Sequence, residues 1–168
     1  MKTLISIVIA LGLVLGSTPK QAETSSVTVR VDGLRNTNGY INISLYDGSG
    51  EFPGVDAIAL KEVEVDGFSM DIVFEDLEPG SYAIAVVHDE NGNGDIDMNS
   101  YGMPMEGFGF SNEAQATMGP PSFDEAAFKV DGATDHYIEL MYMQSYYSIA
   151  LRSKTQRSCS NNSVSSYY

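Results

Sequence analysis

At 168 residues and a formal net charge of −14, the chain is long enough for one domain with a real core, and it shows no repeat. All 23 acidic residues lie between Glu23 and Glu139, where Arg30, Arg35, Lys61 and Lys129 are the only basic ones; that stretch therefore carries −19, which excludes nucleic acid and anionic lipid as natural partners and favours cations. Cys159 is the only cysteine, so an internal disulfide and a cysteine-rich metal site are excluded as well.

Lys2 followed by the apolar run Leu4 to Leu15 reads as a secretory signal peptide over residues 1–22, cut near Ala22. The run is too short for a comfortable membrane span, and Pro19, Lys20 and Gln21 follow it, so export with cleavage is expected and no span is left in the mature protein. The protein is thus expected to be periplasmic or secreted.

From Val27 the dominant period is two. Val27, Val29 and Val31 alternate with polar residues, and so do Ile41, Ile43 and Leu45 beyond Asn36-Thr37-Asn38-Gly39, which predicts a hairpin with one wet face. Asp47 to Val55 is a loop. Leu60, Val63 and Val65 give a third strand, and Asp66-Gly67 is a two-residue hairpin signal before Met70, Ile72 and Phe74. Tyr82 to His88 is apolar at both parities, the mark of a strand covered on both sides. The stretch Met98 to Asp124 is rich in glycine, proline and aromatics, and a loop of that length is either functional or disordered. Its aromatics argue for folding down. Short strands at Ala126 to Val130 and His136 to Tyr142 close the domain, 23–143, and the acid-free segment 144–168 reads as a disordered tail. The expected architecture is all-β: a single antiparallel seven-stranded Greek-key β-sandwich with one long glycine-, proline- and aromatic-rich loop.

The most informative stretch is His88 to Asn99. Asp89, Asn91, Asn93, Asp95 and Asp97 place oxygens at every second position around Gly94, which is how a short loop turns successive oxygens toward one hard cation such as calcium. Against the EF-hand pattern these residues take loop positions one, three, five, seven and nine, but position twelve is Ser100. The missing carboxylate has to come from farther along, where Glu106 and Glu113 are the only acids before Asp124; Glu106 needs the shorter closure. The competing reading is that Asn-Gly-Asn-Gly is ordinary turn chemistry.

The string Gly80-Ser-Tyr-Ala-Ile-Ala-Val-Val-His-Asp-Glu-Asn-Gly-Asn-Gly, with Tyr101-Gly-Met-Pro, Glu106-Gly-Phe-Gly-Phe-Ser-Asn and Gly119-Pro-Pro-Ser-Phe-Asp-Glu-Ala-Ala-Phe, resembles the bacterial family catalogued as domain of unknown function 2141. The resemblance spans about residues 26 to 142. It implies a small exported β-sandwich similar to transthyretin-like or prealbumin-like folds, with no established activity and no catalytic residues to carry over.

His88 reads as a strand-end histidine bonded to a neighbouring carbonyl or carboxylate, since an oxygen-rich hard site does not select imidazole. Tyr101, Phe108, Phe110 and Phe123 either pack the long loop onto the sandwich edge or line a surface for a protein or small ligand. Ser111, Ser122 and the two histidines sit in no nucleophile-and-base motif, so no catalytic role is expected. The expected function is that of an exported non-enzymatic module of unknown biological role, binding calcium through the 89–97 loop and a ligand or protein through residues 98–124. The alternative is an envelope-structural or interaction module in which 89–97 is only a turn.

Overall fold

The computed structural model describes residues 24–117 and 119–143. The expected signal peptide and tail lie outside those residues. The elements in chain order are β1 (Ser25–Asp32), β2 (Tyr40–Tyr46), β3 (Ala59–Glu64), β4 (Ser69–Leu77), β5 (Gly80–Asp89), β6 (Gly107–Phe110), a 3₁₀ turn (Ser111–Glu113), α1 (Phe123–Ala126), β7 (Phe128–Val130) and β8 (Ala133–Glu139). The domain is all-β, as expected, with eight strands among the described residues rather than seven.

Alternation sets which side chains go inside. Val27, Val29 and Val31 of β1 pack with Met70, Ile72 and Phe74 of β4, and face Ile41, Ile43 and Leu45 of β2 and Ile84 and Val86 of β5 in one cluster. Each such fully buried side chain contributes about 1.5–3 kcal/mol of apolar transfer free energy. The cluster lies between two sheets, β4-β1-β8 and β3-β2-β5-β6, with β7 also pairing β5.

Two expected hairpins are not formed. β1 and β2 lie in different sheets: β1 pairs antiparallel with β4 and parallel with β8, and β2 pairs with β3 and β5. Residues 33–39 cross from one sheet to the other, and their carbonyls bond on the far side, Gly39 with the Val65 amide and Asn38 with the His88 ring. Asp66-Gly67 likewise carries the chain from β3 in one sheet to β4 in the other. Period two fixes which parity points inward, but two strands of matching parity can equally well face each other across a core.

β5 is covered on both sides, as its composition predicts. Inward lie Tyr82, Ile84, Val86 and His88; on the other face Ala83 joins a second cluster with Ala114 and Ala126, against which Phe52, Phe110 and Phe123 pack. Beyond β5 the edge is shared by β6 and β7, at Ala85 to His88 and Gly80 to Tyr82 respectively.

β6 closes the sandwich because two of its positions are glycine. A Cβ on Gly107 would sit 2.5 Å from the Tyr142 ring, and one on Gly109 would sit 2.7 Å from Ile138 Cγ2. With no side chain there, β6 approaches the end of β8 closely enough for Phe108 and Met141 to exchange backbone hydrogen bonds of 3.0 and 2.8 Å.

Candidate functional site: the acidic loop and the network beneath it

β5 delivers the chain into the loop with Asp89 only 1% exposed. Its Oδ1 accepts the Gly92 and Asn93 amides at 2.7 and 3.2 Å, and its Oδ2 accepts the Gly94 amide at 2.7 Å. Gly92 and Gly94 have φ of 70° and 81°, a left-handed backbone that a side chain would strain. Asn91 Oδ1 takes the Asn93 amide and Asn93 Oδ1 takes the Asp95 amide, each two residues on, the usual Asx turn. With the oxygens so engaged, the two side-chain NH₂ groups donate to Asp97, at 2.7 and 3.2 Å. The Asp95 side chain is exposed.

Glu106 comes from outside the loop and ties its ends together. It is 4% exposed, with Oε1 accepting the Glu90 amide at 2.9 Å and Oε2 accepting the Asp97 amide at 3.1 Å. Glu113, the other acid of the long segment, lies elsewhere, beside Tyr137 and Glu139. Among the described residues, no three His, Cys, Asp or Glu side chains converge as a group that would hold a metal ion by themselves. Asp89 and Asp97 of the loop and Glu106 from outside it thus border one another without forming an all-acid cage.

Between Asp97 and Glu106 the chain forms a tight, ordered turn. Met105 donates to the Asp97 carbonyl, Met98 bridges to Pro104, and Asn99 Oδ1 accepts the Tyr101 and Met103 amides. Tyr101 stands at the tip, 88% exposed, between the exposed Met98 and Met105. The other three aromatics of the long segment are placed differently. Phe108 is buried, and Phe110 and Phe123 pack edge-on against Phe52 with ring centres 6.0 and 6.2 Å away. Of the four residues read as a partner surface, only Tyr101 is exposed, while Phe110 and Phe123 are half-buried.

Beneath the loop lies a polar network. His88 is fully buried, with Nε2 2.8 Å from the Asn38 carbonyl and Nδ1 2.7 Å from Tyr142 Oη. A carbonyl only accepts, so Nε2 carries a hydrogen and donates to Asn38, and Nδ1 shares the second hydrogen bond with the Tyr142 hydroxyl. Tyr142 Oη in turn accepts the Arg35 amide at 3.2 Å. The Arg35 guanidinium lies 4.6 Å over the Tyr142 ring, donates to the Met105 carbonyl, and sits with Nε 2.6 Å from Glu90 Oε1, a close ion pair rather than an aligned hydrogen bond. Burial pushes the Glu90 carboxyl up, but Arg35 and Asn36 outweigh it and hold the group below its ordinary value. His88 therefore reads as expected, a strand-end histidine on a backbone carbonyl. The sequence reading missed Arg35, Asn36, Glu90 and Tyr142. One signal was available: Arg35 is one of four cations among 23 acids.

Ser111, Ser122 and His136 each have defined partners in the fold. Ser111 Oγ donates to the Ala126 carbonyl and accepts the Ile84 amide, Ser122 caps α1 with Glu125, and His136 Nε2 accepts the Asn112 amide while its ring stacks 4.1 Å from Phe128.

Fold and loop together define a small two-sheet domain that carries a glycine-kinked acidic loop closed by a remote glutamate. The family described as "Uncharacterized protein conserved in bacteria (DUF2141)" matches residues 29–137, and the chain belongs to it. No curated protein and no solved structure matched the chain. Among the described residues no helix is long and apolar enough to cross a membrane.

Proposed function

We propose that this protein is an exported, non-catalytic module that binds one calcium ion in the loop Asp89, Asn91, Asn93, Asp95, Asp97, completed by Glu106. The observation that carries the reading is the Glu106 carboxylate. It lies against both ends of the loop and is the acid that a loop lacking a glutamate at position twelve requires. A carboxylate offers about four acceptor positions, so Glu106 with two backbone bonds and Asp89 with three each keep room for an ion. The side-chain donors on Asp97 are the Asn91 and Asn93 amides, exposed groups that an ion can displace. Asparagine and backbone oxygens supply the neutral ligands that calcium accepts alongside few acids. Export rests on the apolar run after Lys2, and the Greek-key, transthyretin-like arrangement is a further part of the reading, supported by the way successive strands change sheet.

An open site of this kind binds at about 10⁻⁴–10⁻³ M. At about 10 mM calcium the protein should then gain roughly 1.4–2.7 kcal/mol, or about 4–10 °C in melting temperature. Calorimetric titration and melting in calcium and in chelator test this, with Asp89→Asn/Asp97→Asn as the variant that abolishes both signals. No heat and no shift at millimolar calcium would refute it. One observation favours a second reading, an interaction module whose loop is only a turn: Asp89 and Glu106 hold the loop through backbone amides alone, and they present Tyr101 at its tip.

A further inference from the structure

β6 meets the chain just past β8 at the Phe108–Met141 pair, and the 3₁₀ turn that follows β6 meets β8 again where the Asn112 amide bonds the His136 ring. Between these two contacts lies a cleft of about 600 Å³ whose lining includes Phe110, Glu113, Ala114, Gln115, Tyr137 and Glu139. That volume is in the range of small-ligand sites, about 300–1,000 Å³. The apolar part of the wall is Phe110, Ala114 and the half-exposed Tyr137 ring. The polar part carries the carboxylates of Glu113 and Glu139 beside the Gln115 amide and the Tyr137 hydroxyl. Glu113 and Glu139 line the cleft, and neither is paired with a cation among the described residues. In the parallel pairing of β8 with β1, Leu140 donates to the Asp32 carbonyl, so the alternate residues Tyr137 and Glu139 turn their backbone N–H and C=O groups away from β1, toward the cleft. Among the described residues no lysine, arginine or histidine lines it. Desolvation and the nearby carboxylates of Glu139, Asp32 and Glu113 push the Tyr137 hydroxyl above its ordinary value, in keeping with the local excess of negative charge.

Two carboxylates with no cationic side chain among the described residues, beside an apolar wall, fit a ligand that is cationic at one end and apolar behind it. Ammonium has three donors and no acceptor, and guanidinium has five. We propose that this cleft binds a cationic group on an apolar stem, with the ammonium or guanidinium between Glu113 and Glu139 and the stem on Phe110, Ala114 and Tyr137. Such a group belongs equally to a free amine or to a lysine or arginine side chain, and the chain itself carries three at Arg152, Lys154 and Arg157. The proposal does not depend on the calcium reading.

The test is an NMR titration of the full chain in chelator with phenethylamine, with N-acetyl-arginine amide, and with the uncharged control 2-phenylethanol. Saturable shifts at the amides of Phe110, Ala114, Gln115, Tyr137 and Glu139 are expected with the two cations and not with the alcohol. Both carboxylates are solvent-exposed, so Glu113→Gln/Glu139→Gln should weaken binding by roughly three- to tenfold while leaving the spectrum of the core unchanged. Three results overturn the proposal: no saturable shift, an alcohol that binds as well as the amine, or a double variant with unaltered affinity. Severalfold tighter binding in Arg152→Gln/Lys154→Gln/Arg157→Gln supports the chain's own side chains as occupants, and unchanged affinity supports a ligand from outside.

Discussion

Replacing Glu106 by glutamine tests what holds the acidic loop in shape without any ion. The carboxylate is 4% exposed and accepts two backbone amides, from Glu90 at 2.9 Å and Asp97 at 3.1 Å. Hydrogen bonds to a charged acceptor are worth about 1.5–3 kcal/mol each. Glutamine keeps one oxygen, so one bond survives as a weaker neutral one, while the other amide meets an NH₂ group and is left buried without an acceptor. Losing about 2–3 kcal/mol is therefore expected, a large part of a typical 5–15 kcal/mol stability. In urea, with chelator present, the midpoint should fall by about 1–2 M at an unchanged slope. The chain has ten tyrosines and no tryptophan, so tyrosine fluorescence or far-ultraviolet circular dichroism can follow unfolding. Glu113→Gln, an exposed change away from the loop, is the control and should stay within about 0.5 kcal/mol of the parent. If Glu106→Gln behaves like that control, the glutamate is not what closes the loop.

Three further outcomes follow from the geometry. Gly109→Ala puts a Cβ 2.7 Å from Ile138 Cγ2 and should cost about 1–3 kcal/mol, with faster hydrogen exchange at the Phe108 and Met141 amides as the local sign that β6 has been pushed off β8. Tyr142→Phe removes the hydroxyl that accepts the Arg35 amide and bonds His88, so about 1–3 kcal/mol should be lost in denaturant unfolding; a variant as stable as the parent would remove the network from the list of stabilising features. His136 has its pKa lowered from 6.5 by burial, and its Nε2 has to be unprotonated to accept the Asn112 amide. The unfolded chain then takes up the proton first, so stability should begin to fall as pH drops below 6.5, and this part of the fall should be missing in His136→Gln.

The inward-facing residues were readable because burial on one side leaves a period of two, and Val27, Val29, Val31, Ile41, Ile43 and Leu45 all lie where that period puts them. Partners were not readable. Asp66-Gly67 has the composition of a hairpin turn, but turn chemistry constrains four residues and says nothing about which sheet the next strand joins. β6 escaped notice because the positions that face the core are Gly107 and Gly109, so the strand carries no alternation to detect. α1 did leave a mark, the Ser122-x-x-Glu125 capping box, which was passed over in a stretch read as loop. At the loop, spacing alone pointed to Glu106 as the remote acid lying against it. Arg35, Glu90 and Tyr142 are drawn together across three separate segments, so no local pattern could have joined them.

The parallel pairing of β1 with β8 sets the order in which the molecule can assemble. β1 is the middle strand of its sheet, yet one of its two neighbours is nearly the last stretch of the domain, and Gly132 donates to Ser25 Oγ across 107 positions of sequence. Until Ile138 arrives, Val29 and Val31 lack the strand that covers one flank, and β6 has nothing to dock its glycines against. Local β-hairpins therefore cannot complete either layer early, and the loop-closure entropy of the longest contact is met before much of the core rewards it. A chain with this wiring belongs to the slow class of small domains, folding in milliseconds to seconds. Neither the flank of β1 nor the glycine face of β6 is covered until β8 is in place.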